Sequence, residues 1–368
     1  MKKLFVFIAI SLAAISCANA PAEEDGLMRM LVGTLTEGHE SQGVYLFEFN
    51  QEDAAYCLLD TAAAGNPSFI IPSADRSHAY SVIEYNDGRQ GVASYNLAAD
   101  SVDPLNFQTV DGTASGADPC NIIVVGKNVI TSNYSGGTMS VFPLNDDGSI
   151  GPLQWQFVPA QSDTVSHLHC AVLSPEGDYL FVTDLGRDVI YRFRTSAAGV
   201  EEQTPETAFA FNDPDIHYGP RHLTFSADGR FAYLLNELGD YITVFSYRDG
   251  ALEHVMSEKA YQGNGGGSAD IHLTPDGQYI YTSHRLKEDG VSFFRVDSSD
   301  GRVSNAGYQL TGVHPRNFAI TPNGKYLLCA CRDSDRIEIY SINYENGTLE
   351  DTGKKILLPA PVCIQFFE

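Results

Sequence analysis

Tryptophan is almost missing from this chain. One Trp stands against 20 Phe and 19 Tyr, which excludes a repeat marked by Trp. Basic residues are scarce too, 23 against 47 acidic, for a net charge of −24. A chain so acidic repels a phosphate backbone, so nucleic acid is not an expected partner. Seven Cys are scattered with no CxxC pair, so the thiols after Cys17 are expected mainly as small buried residues. Cys329 and Cys331 stand two apart on an expected strand and should not bridge each other. Gly and Pro, at 33 and 17 of 368 residues, are too few for a low-complexity chain. Past residue 15 no apolar run approaches membrane length. No G-x-S-x-G occurs, so a serine-hydrolase elbow is unsupported. His167 and His169 share a strand face but lack further ligands at suitable spacing, so neither metal nor cofactor is expected.

The amino terminus has the form of an address. Lys2 and Lys3 precede an apolar run from Leu4 to Ile15, too short to span a bilayer and typical of a secretory signal. Ala14-Ile15-Ser16-Cys17 resembles a lipobox, with Cys17 as a candidate acylation site, and Ala18-Asn19-Ala20 resembles an ordinary cleavage site. Residues 1–20 are therefore expected as a signal peptide and 21–368 as one domain. The mature protein is expected to be exported, periplasmic or held at a membrane only through a lipid on Cys17.

What is abundant is repetition. A short alternating strand ending in an aromatic recurs seven times: Val44–Phe47, Val92–Tyr95, Met139–Phe142, Ile190–Phe193, Ile242–Phe245, Val291–Phe294 and Ile337–Tyr340. Successive aromatics are 48, 47, 51, 52, 49 and 46 residues apart. A period near 50 with two-residue alternation predicts an all-β, seven-bladed β-propeller. A hairpin precedes most copies, with turns at Pro175-Glu176-Gly177, Ala227-Asp228-Gly229, Pro275-Asp276-Gly277 and Pro322-Asn323-Gly324. Ala74-Asp75-Arg76 is a degenerate turn and a shortened one sits near Gly126. The seventh hairpin is expected from the two ends, with Val362–Phe366 pairing Met28–Val32 to close the ring and remove edge strands.

Counting equal distances from each turn places residues side by side at the open end of the hairpins. The pairs are Ser68 with Glu84, Cys120 with Tyr134, His169 with Leu185, Arg221 with Glu237, Ala269 with Arg285, and Arg316 with Arg332. If the hairpins line the channel, four Arg gather at one mouth of an otherwise acidic molecule. Guanidinium forks suit carboxylate or phosphate, so a small anion is the expected ligand. The bland alternative pairs these Arg with Glu84, Glu237, Asp184 and Asp270 in structural salt bridges.

Ten short segments lie in order along the chain: Val32-Gly33-Thr34, Asn66-Pro67-Ser68, Asp118-Pro119-Cys120, Ser132–Gly137, His167-Leu168-His169, Asp184–Asp188, Gly219-Pro220-Arg221-His222, Asn236-Glu237-Leu238, Ser283-His284-Arg285 and His314-Pro315-Arg316. Together they resemble the lactonase β-propeller family, which includes 6-phosphogluconolactonases and fungal muconate cycloisomerases. The resemblance implies a seven-bladed propeller and metal-free chemistry by His169, Arg221, Glu237 and Arg285. Arg316, Arg332, Glu84, Asn133 and His284 are expected to contact substrate. The chain departs from the family at Asn121, where His is frequent, and at His284, where Asn is common.

For lactone hydrolysis, Glu237 is the first candidate base and His169 the second, with Arg221 stabilising developing negative charge. Arg285 and Arg316 would hold an anionic tail of the substrate. A direct Arg221–Glu237 pair would weaken Glu237 as a base and favour His169. The expected activity is that of a lactonase resembling 6-phosphogluconolactonase, acting on a small anionic sugar-acid lactone. The alternatives are a non-catalytic propeller that binds a ligand or partner and a lyase resembling muconate cycloisomerase.

Overall fold

A computed structural model describes residues 26–85, 87–110, 116–263 and 267–367. The expected signal segment and Cys17 lie outside the described residues.

Seven antiparallel sheets, six of four strands and one of five, follow one another around a ring. Their innermost strands are Pro361–Phe367, Ile70–Pro72, Pro119–Val125, Leu168–Leu173, Pro220–Phe225, Ser268–Leu273 and Pro315–Ile320, for blades 1 to 7. Blade 1 joins the chain ends. Pro361–Phe367 pairs antiparallel with Leu27–Thr34, as the terminal hairpin predicts. The seven recurrent aromatics all fall on the third strand of a blade and are at most 3% exposed. Each lies in an apolar cluster shared by two neighbouring blades. There are seven such clusters, one per junction, from the blade 7–1 group around Phe47 and Ile339 to the blade 4–5 group around Phe193's neighbour Ile190 and Phe245. The repeat exists because each blade buries its apolar faces only against its neighbours. A buried Phe contributes roughly 1.5–3 kcal/mol at each junction.

The inner hairpins turn as the sequence indicates. Gly177, Gly229, Gly277 and Gly324 have φ from 70 to 82°, a region that favours glycine. Arg76 takes the same left-handed position in the degenerate turn, at φ 63°.

The register differs from equal counting by one residue. Pro220 pairs with Asn236 and His222 with Leu235, leaving Arg221 bulged out of the ladder. The same irregularity frees Cys120, Arg316 and, with a second residue each, His169 and Ala269. Glu237 therefore faces Gly219, to which its N–H donates at 2.7 Å, rather than Arg221. A bulge bends the strand and re-aims a side chain. Here it takes Cys120, His169, Arg221, Ala269 and Arg316 of blades 3 to 7 out of the ladder.

Two residues past the bulge in blades 4, 7 and 1, and at the matching place in blade 2, a backbone N–H is met by a side chain of the preceding blade. Asn121 Oδ1 accepts from Ala171 N at 3.0 Å, Asp270 Oδ2 from Phe318 N at 3.3 Å, and Asn317 Oδ1 from Ile364 N at 2.8 Å. Cys363 Sγ accepts from Ile70 N at 3.5 Å. These side chains form a belt that stitches one blade to the next around the channel.

Candidate functional site

The site is built from bulged residues of the innermost strands and the residues just after the second strands. The second strands of blades 5 and 6 are Phe231–Asn236 and Tyr279–His284, and they end immediately before Glu237 and Arg285. Glu237 is the hub. It accepts from Arg221 Nε at 2.8 Å through Oε2 and from Arg285 NH2 at 2.7 Å through Oε1. Arg221 is only 2% exposed and Arg285 8%. Burial alone would raise the Glu237 pKa, but Arg285, Arg221 and Arg316 outweigh it and hold the carboxyl below its ordinary value. Burial lowers the Arg285 pKa to about 9 despite Glu237, with the other three guanidinium groups assisting. It stays charged at neutral pH.

Arg316 differs from its neighbours. It makes no hydrogen bond or ion pair among the described residues, while burial and Arg221 lower its pKa. Arg332 is instead spent locally. It begins the short 3-10 turn Arg332–Ser334, and its Nε and NH2 reach the Asp333 carboxylate at 2.5 and 2.9 Å.

His169 lies beside this cluster, 4% exposed. Its ring sits edge-on to Tyr134 and to His222, with centroids at 5.8 and 5.1 Å. Nδ1 is buried and has no hydrogen-bond partner among the described residues. Burial, then Arg221, His222 and the other Arg groups, push its pKa well below the ordinary histidine value, so the ring is neutral at pH 7. His167 turns the other way: its Nδ1 donates to Tyr134 O at 2.9 Å and its ring stacks on Tyr134. Among the described residues, no three His, Cys, Asp or Glu side chains converge as metal ligands.

Three expected contacts lie elsewhere. Asn133 is fully buried and its amide is used up, accepting from Thr131 Oγ1 at 3.0 Å and donating to Thr138 Oγ1 and Ser140 Oγ. His284 bonds Ser268 Oγ and Thr282 Oγ1 at 3.0 and 2.9 Å and stacks on Tyr261. Both face into the blade because they end the second strand within the ladder register, one residue before the positions that reach the mouth. Glu84 lines a cavity of about 500 Å³ between blades 1 and 2, together with Thr36, Gln42, Gly65 and Tyr85. It remains within the field of Arg316.

The buried salt-bridge alternative holds in part. Glu237 does bind Arg221 and Arg285, whereas Asp270 pairs with His222 and His272 and not with an Arg. The Asp270 and His222 positions carry no motif of their own. The Pro-Arg-His run at 220–222 is the one signal that marked His222.

Among the described residues five free thiols, Cys120, Cys170, Cys329, Cys331 and Cys363, are all buried. Burial pushes Cys120 up to about 12, despite Arg221 and Arg316 nearby, so it is not a nucleophile at neutral pH. Cys329 and Cys331 sit with sulfurs 3.9 Å apart, unbridged.

The family model described as a seven-bladed β-propeller lactonase matches residues 29–366. The chain belongs to this lactonase family. Among its lactonase relatives, a 6-phosphogluconolactonase of Formosa agariphila is 31% identical over 92% of this chain and 99% of its own length. One of Bacillus subtilis is also 31% identical, over 91% and 97%. A solved structure from Bacteroides fragilis, provisionally assigned as a 6-phosphogluconolactonase, is 42% identical, with TM-score 0.88 over 95% of this chain and all of that one. The periplasmic gluconolactonase of Pseudomonas aeruginosa is 26% identical, with TM-score 0.82 over 93% and 99%.

Proposed function

We propose that the chain hydrolyses a small sugar-acid lactone bearing an anionic group, at the mouth lined by blades 4 to 7. The observation that carries this reading is Arg316, a guanidinium with no acceptor among the described residues, beside two Arg that share the single carboxylate of Glu237. An unpaired cation in a partly desolvated mouth is ready to bind an oxyanion. The names of the relatives support a gluconate-type lactone, phosphorylated or plain.

In this reading Arg316 and Arg285 hold the anionic tail. Arg221 faces the lactone carbonyl and stabilises the charge that develops on its oxygen. Glu237 is a poor base, because both of its oxygens already accept from guanidinium groups. His169 takes that role. It is neutral and its depressed pKa comes partly from the Arg groups, whose field a bound anion offsets. Substrate binding thus raises the basicity of His169 toward the range where it can take a proton from water.

The same proposal includes export. The charged and apolar start of the chain and the periplasmic relative support it, with acylation at Cys17 as one form of retention.

The test is acid release from 6-phosphoglucono-1,5-lactone and glucono-1,5-lactone by the mature protein. His169→Asn should lower kcat about 100-fold or more, and Arg316→Ala should raise KM mainly for the phosphorylated substrate. No turnover above the spontaneous rate on either lactone would sink the enzyme reading and favour a binding role. Turnover indifferent to both substitutions would sink the site.

A further inference from the structure

Arg221 is gripped from behind by groups that the chemistry above does not use. Its NH1 contacts His222 Nε2 at 3.0 Å and also donates to the Ala269 carbonyl. With Nε committed to Glu237, three of its five N–H groups are engaged, and NH2 has no hydrogen bond among the described residues. A guanidinium cannot accept. His222 Nε2 must therefore be the acceptor, and the proton of the neutral ring must sit on Nδ1. Nδ1 lies 2.7 Å from Asp270 Oδ1.

Asp270 is built to hold that proton in place. It is 3% exposed. Its other oxygen accepts from His272 Nε2 at 3.0 Å, Asn317 Nδ2 at 2.5 Å and Phe318 N at 3.3 Å. Oδ1 also accepts from Ile271 N at 3.0 Å. Asn317 is oriented in turn by Ile364 N on its Oδ1. Every hydrogen bond to the Asp270 carboxylate among the described residues comes from a donor, so it can only present an acceptor to His222. The chain of bonds runs from the belt through blades 7, 6 and 5 to the guanidinium at the mouth.

We infer that Asp270 and His222 form a positioning relay for Arg221: the carboxylate fixes the histidine tautomer, and the tautomer fixes the guanidinium with NH2 turned to the ligand. Neither residue touches substrate in this scheme. The inference rests on the role of Arg221 proposed above. Its chemical content is a polarity argument. Asp270→Asn can place an amide N–H against Nδ1, which drives the proton to Nε2. Two donors then face each other at Arg221, and the guanidinium moves.

Two measurements test it. In ¹⁵N NMR of the whole protein, His222 should be the Nδ1–H tautomer at pH 7, and Asp270→Asn should shift it toward Nε2–H. An Nε2–H or doubly protonated His222 in the native protein overturns the relay, whether or not a lactone is turned over. In the lactone assay, Asp270→Asn and His222→Phe should each lower kcat roughly tenfold or more, with KM nearly unchanged. His222→Gln keeps an acceptor and should recover part of that loss. In the Arg221→Ala background, His222→Phe should cost little more. If Arg221→Ala is disabled while His222→Phe keeps wild-type kcat, the relay is wrong and the site stands. If Arg221→Ala itself keeps wild-type kcat, the site reading fails, and the NMR result still decides the tautomer.

Discussion

Glu84 holds its proton unusually well. Burial, the neighbouring Asp118 and then Glu37 push its carboxyl up to about 7, against the pull of Arg316. The ordinary value is 4.5, so between about 4.5 and 7 the native chain binds more protons than the unfolded one. Stability must fall as pH rises through that window. Glu84→Gln is neutral at every pH and removes the dependence. The variant should match wild type near pH 4 and exceed it at pH 8 by about 1 kcal/mol, a figure reduced for solvent screening. Urea unfolding at the two pH values checks it, and an equal difference at both would refute the assignment. His169 has the opposite sign. Its pKa lies well below 6.5, so kcat/KM should show no inflection near pH 6.5, and a pH profile with one there would contradict a neutral buried base. Single residues were legible in the sequence where distance from a turn decided them, as for Arg221, Glu237 and Arg285. The pairing of His222 with Asp270 was not, because they are 48 residues apart on different blades and meet only once the blades pack.

The hairpins and their turns were readable as elements because Gly, Asn and Asp are required where φ is positive. The bulges were not, since equal counting presumes a regular ladder. One signal for them was present. Asn66, Asp118, Gly219, His314 and Ala360 each precede a Pro at the channel strand and each has φ between 42 and 67°. Proline lacks the N–H that a ladder needs, so it fits the first residue of a strand and opens the space that the bulge fills. The belt fastens what the bulges loosen. Asn317→Ala would leave the Ile364 N–H without its acceptor and remove a donor from Asp270. A buried group stranded this way costs about 1–3 kcal/mol. The expected loss for Asn317→Ala is about 3 kcal/mol, measured by urea unfolding. A loss below about 0.5 kcal/mol, the scatter of neutral surface changes, would show that water replaces the belt at this junction.

At the scale of the molecule, the period near 50 residues was sufficient to read the architecture, because all seven junctions use the same packing. The last strand is the weak point of such a ring. Pro361–Phe367 supplies the innermost strand of blade 1 and buries Val362, Cys363 and Ile364. Each large apolar side chain buried there contributes roughly 1.5–3 kcal/mol, and a whole domain has only about 5–15 kcal/mol in hand. A chain ending at residue 360 should therefore show no cooperative thermal transition, and calorimetry would test that directly. A sharp transition near the wild-type temperature would mean that the ring closes without the inner strand of blade 1.

That closure also orders events in time. The strand Leu27–Thr34 must wait for Pro361–Phe367, which is made roughly 330 residues later. At about 5–20 residues per second, the ribosome imposes a delay of roughly 15–65 s. During that interval the first hairpin has an open edge, and the nascent chain can be threaded but not yet locked. Under the export proposed above, such a delay is useful, because translocation needs the chain before the ring shuts.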